Sequence, residues 1–118
     1  MAQFDQRGQK ITGSQYNAGR DINWGTVQSP VDLVSELEKL KEEVNQAQQN
    51  SLLDKKKATD VEYQITKAIQ EAEESHPDKK TIVDHLKTAK SFLDGIATVG
   101  GLITTIAGAI EAVQKLFS

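Results

Sequence analysis

The sequence predicts a mainly α protein: an antiparallel bundle of three or four helices behind a short N-terminal segment that is either β-prone or disordered. Two observations carry this. From Pro30 onward, apolar residues recur at alternating spacings of four and three, which places them on one stripe of each helix. Aromatic residues make up only 5% of the chain, so its core must come from Ala, Ile, Leu and Val meeting along extended faces. At 118 residues the chain has room for one domain with an appended segment. The boundary is expected at Ser29-Pro30, giving a Gly/Asn/Gln-rich segment over 1–28 and a helical domain over 29–118.

Each helix has its own punctuation. Ser29 can cap the free N–H groups of a first helix, near 31–50, and Pro30 is tolerated in its first turn. Leu33, Leu37, Leu40, Val44 and Ala47 form its coiled-coil-like stripe, opposite a face of Glu, Lys and Gln. Asn50 and Ser51 read as a stop and Asp54 as the next cap. A second helix near 54–75 then carries Ala58, Val61, Ile65, Ala68 and Ala72, flanked by Ile69. The short link between the two predicts an antiparallel hairpin. Pro77 disfavours helix at His76 and opens a third helix, near 78–94, striped by Ile82, Leu86, Ala89 and Leu93.

The last helix, expected over 96–117 after a break near Gly95, is the least polar part of the chain. No charge occurs from Gly95 to Ile110. Its three-four pattern runs through Ile96, Val99, Ile103, Ile106, Ile110, Val113 and Phe117. Ala97, Gly101, Thr105, Gly108 and Ala112 form a small-residue face that admits close packing. This helix reads in two ways: as a buried member of the bundle, or as a segment able to leave it and enter a membrane. The uncharged window falls short of the roughly 20 residues needed to span hydrocarbon, and only Glu111 and Lys115 interrupt its extension.

Composition narrows the function classes. A net charge of -3 lacks the basic surface that nucleic-acid binding requires, and Lys55-Lys56-Lys57 reads as a solvated helix end. The absence of cysteine removes thiolate chemistry and suits a reducing, cytoplasmic setting; no apolar signal segment opens the chain. His76 and His85 are nine residues apart, which is not a helical metal-ligand spacing. Gly13 and Gly19 enclose five residues where a P-loop has four, and Arg20 stands in place of the Lys-Ser/Thr pair. No catalytic residue, cofactor or metal site is therefore expected, and the chain reads as a non-enzyme.

Specificity is expected instead in "QKITGSQYNAGRDIN", residues 9–23. Its period of two suits an extended strand with one face of amide and glycine, and the segment is too polar to fold alone. It is either a flexible leader, a hairpin turning at Asn17-Ala18-Gly19, or a strand completed by a second copy. In the last case Asn and Gln side chains stack in ladders, while Ile11, Ile22 and Trp24 supply dry contacts.

Through Gly13, Gln15, Asn17, Ala18, Gly19, Arg20, Asp21 and Ile22, "ITGSQYNAGRDI" resembles the G-x-Q-x-N-x-x-G-R-D-I-type segments of bacterial conflict proteins. These include effector-associated regions and bacterial amyloid signalling motifs linked to STAND-type NTPases. The stretch from His76 to Ile110 is similar to the helical tails of such proteins. The resemblance implies an assembly or adaptor module, self-associating or paired with a signalling NTPase that bears a matching segment. It equally admits a membrane-active effector whose last helix inserts after clustering.

Overall fold

The computed structural model describes residues 22–117, and the expected assembly residues Ile11, Gly13, Gln15, Asn17, Ala18, Gly19, Arg20 and Asp21 lie outside them. Among the described residues there are four α-helices and no strand. They are α1 (Pro30–Gln49), α2 (Lys55–Ala72), α3 (Lys79–Leu93) and α4 (Gly100–Leu116), with single 3-10 turns at Trp24–Thr26 and Ala97–Val99. The arrangement is the mainly α bundle that the periodicity predicts.

The starts of α1 and α2 follow the capping chemistry, while α3 and α4 begin without a side-chain cap. Ser29 Oγ accepts from the Asp32 N–H at 3.2 Å, with Pro30 in the first turn of α1; Asp54 Oδ1 accepts from the Lys57 N–H at 2.8 Å at the start of α2. The stop after α1 is a Schellman closure. The Leu52 N–H donates to Ala47 O, and the Ser51 N–H donates to Gln48 O, with Ser51 held at a φ of 62°. Gly95 takes the corresponding left-handed conformation after α3, at a φ of 88°, which is the expected break.

The third connection differs from the expectation in one detail. The last helix does not begin at 96: Ile96 is extended, Ala97–Val99 forms a 3-10 turn, and α4 begins at Gly100. The Leu52 carbonyl accepts from Thr98 Oγ1 at 2.8 Å, which ties this turn to the α1–α2 link at one end of the bundle.

The stripes of the first three helices point inward as their spacing requires. Leu33, Leu37, Leu40, Val44 and Ala47 of α1 are fully buried, and so are Val61, Ile65 and Ala68 of α2 and Ile82, Leu86, Ala89 and Leu93 of α3. The helices pack in chain order around one core. The α2–α3 pairing is the most extensive, and the α1–α4 pairing that closes the ring is the least. Into that weakest seam fits the chain that precedes α1: the Trp24–Thr26 turn contacts both α1 and α4.

Candidate interaction surface

The seam between α1 and α4 is built from both regions that the sequence singles out. Asn23 caps the 3-10 turn, its Oδ1 accepting from the Gly25 N–H at 3.0 Å, while the Asn23 carbonyl accepts from Thr26 Oγ1 at 2.9 Å. The same residue's N–H donates to Glu36 Oε1 of α1 at 3.1 Å, and the Gln28 N–H donates to Asp32 Oδ2 at 3.1 Å. Since Glu36 lies almost two turns into α1, residues 22–29 descend alongside that helix before reversing at Ser29-Pro30 to begin it.

On the opposite side of this strap, Trp24 rests on α4. A Cβ built on Gly108 would stand 2.6 Å from Trp24 Cδ1 and 2.9 Å from Nε1, so the indole occupies space that any side chain at 108 would need. Ile22, Trp24 and Val27 are half-buried and pack against the core. The strap, which lies before the expected 28/29 boundary, thus packs on the bundle. In this fold the Trp24 backbone is in a 3-10 turn, and an extended pairing that included Trp24 would have to break that turn.

The apolar helix presents a face rotated from the one its pattern predicts. Val99, Ile106 and Val113 are fully buried, whereas Ile96, Ile103, Ile110 and Phe117 are half-buried along one flank. Leu102, absent from the expected stripe, is fully buried, and Thr105, Ala109 and Ala112 complete the inner face. Of the small residues, Gly108 receives Trp24, while Ala97 and Gly101 are exposed. The outer side is Gly100, Gly101, Thr104, Glu111, Gln114 and Lys115. Ala97–Leu116 is long and apolar enough to cross a membrane by length and composition. In the folded bundle, however, Leu102, Ile106 and Val113 face inward, while Ile103, Ile110 and Leu116 are half-buried.

Elsewhere the surface carries small recesses, one of them partly apolar and lined by Pro30, Val31, Val34, Ala72, Glu73 and Glu74. A recess of about 520 Å³ beside α1 and α2 is lined by Glu38, Lys39, Lys41, Glu42, Asn45 and Glu62. Partial burial there, reinforced by the nearby Glu42 charge and opposed by Lys41, raises the Glu62 carboxyl above its ordinary pKa. The lining carries no hydroxyl, thiol or imidazole side chain. His85 Nδ1 is 2.8 Å from Gln64 Oε1 across α2 and α3, and His76 is exposed in the α2–α3 link. Among the described residues no group of three or more His, Cys, Asp or Glu could hold a metal ion.

No protein-family model matches the chain, and neither a curated protein nor a solved structure matches it significantly.

Proposed function

We propose that the chain is a non-enzymatic assembly or adaptor module that self-associates through the segment preceding its helical bundle. One observation carries the reading: the bundle directs its large apolar side chains into its own core. Only Val31 and Tyr63 are exposed large hydrophobic residues among those described. A partly apolar recess around Val31, lined by Pro30, Val34 and Ala72, is edged by Glu73 and Glu74. The amide-rich alternation from Ile11 to Asp21 is a sequence pattern suited to pairing between copies.

The partner is a second copy of the chain or, as the resemblance implies, a signalling NTPase with a matching segment in a bacterial conflict system. The setting is the cytoplasm. Full-length protein should show a mass above that of the monomer by light scattering, rising with concentration. A full-length Q15P/N17P variant, which lacks two backbone donors in the proposed strand, should stay monomeric. Equal monomeric masses for both would reject the reading.

The second reading is a membrane-active effector, favoured by the span-length apolar stretch Ala97–Leu116. It requires α4 to leave the core, because Leu102, Ile106 and Val113 are fully buried within the bundle. Assembled protein should then release dye from anionic liposomes. Intact liposomes under assembling conditions would reject it.

A further inference from the structure

A glycine in the middle of a helix weakens it, because the backbone gains freedom in the unfolded chain and no side chain is present to pack. α4 has glycines in two different settings. Around Gly100, in its first turn, a Cβ would meet nothing within 4 Å. At Gly108, in the middle of the helix, a Cβ would collide with the Trp24 ring. Gly108 thus has a packing reason that Gly100 lacks, and that reason lies in the strap rather than in a neighbouring helix.

The strap also occupies the seam with least packing of its own. Its two holds act on different helices: Trp24 is seated on α4 through Gly108, while the Asn23 and Gln28 N–H groups are fixed to Glu36 and Asp32 of α1. A segment held to both sides of the weakest joint resists their separation. The α2–α3 pairing has no part in it.

We infer that Ile22–Gln28 is a latch: seating of Trp24 on Gly108 keeps α4 in the bundle, and its lifting lets α4 open locally and uncover Leu102, Ile106 and Val113. The device goes beyond the assembly reading and does not depend on it, since it operates within a single chain.

Native-state hydrogen exchange on the full-length monomer tests the latch through three variants, W24A, G108A and G100A. Alanine is the better helix former, so without a latch G108A and G100A should both protect α4. With the latch, G108A displaces the indole. Central α4 amides in G108A and W24A should then exchange about tenfold faster, while those of α2 and α3 keep their wild-type rates. G100A should leave α4 as protected as before, or more so. Trp24 is the only tryptophan, so its emission reads the seat directly and should shift to the red in G108A. Either of two exchange results would overturn the inference: G108A protecting α4 as G100A does, or W24A and G108A speeding exchange equally in all four helices. Unchanged Trp24 emission in G108A would do the same.

Discussion

The two sides of this bundle are closed by different means. On one side α2 and α3 meet through an aliphatic seam that includes fully buried Ile65, Ala68, Leu86 and Ala89. On the other, α1 and α4 meet less extensively, and a seven-residue strap, Ile22–Gln28, with one indole and two backbone N–H bonds to α1 supplements the joint. Helix-to-helix burial makes a joint that opens only when the whole core opens. A joint completed by a strap can open alone, because its contacts are few and partly exposed. A sequence with little aromatic content thus places its only tryptophan where the helices close least well.

The largest expected effect falls on the first side. L86A removes a fully buried side chain and should cost about 2–5 kcal/mol in denaturant unfolding, with exchange accelerated in every helix. W24A should cost less, about 1–2 kcal/mol, because the indole is only half-buried. A global loss from W24A as large as that from L86A would erase the distinction between the two sides.

A third change, away from both seams, sharpens the comparison by leaving it intact. Ser51 sits at a φ of 62°, where glycine belongs, so S51G should raise the midpoint of thermal unfolding, by about 1 kcal/mol in stability. It should do so without changing the contrast in exchange between α4 and α3.

The smallest effect concerns Glu62, beside the α1–α2 pairing. Its folded-state pKa is raised mainly by burial, so the folded chain holds this proton more tightly than the unfolded chain. The associated cost is absent in acid, where the carboxyl is protonated in both states. It develops as pH rises through the ordinary carboxylate range and is complete above the raised folded value. E62Q should therefore match wild type in acid and be slightly more stable at neutral pH, as read by denaturant midpoints across that range.

The first three helices were legible because charged residues mark their outer faces. Leu33 to Ala47 in α1 and Ile82 to Leu93 in α3 each follow a single stripe, and all of those stripe positions are buried. The inner face of α4 was less legible for the opposite reason. With no charge from Gly95 to Ile110, Leu102 and Ile103 compete as inward positions, and the 3-10 turn before Gly100 shifts the phase. The strap was missed because its seat joins residues 84 positions apart, and no periodic pattern registers such a contact. Its one local signal was a mid-helix glycine together with a lone tryptophan. Glu36 gave no such signal, being one acid among many on α1.

The central claim is that the chain divides into a self-contained bundle that includes the strap and a segment before it that associates. Light scattering with circular dichroism on full-length protein and on a chain beginning at Ile22 tests it directly. The account predicts equal helical content per bundle residue, a monomeric mass for the shortened chain, and a larger, concentration-dependent mass for the full chain. A full chain that stays monomeric over the same concentrations, or a shortened chain that assembles as well, would contradict it.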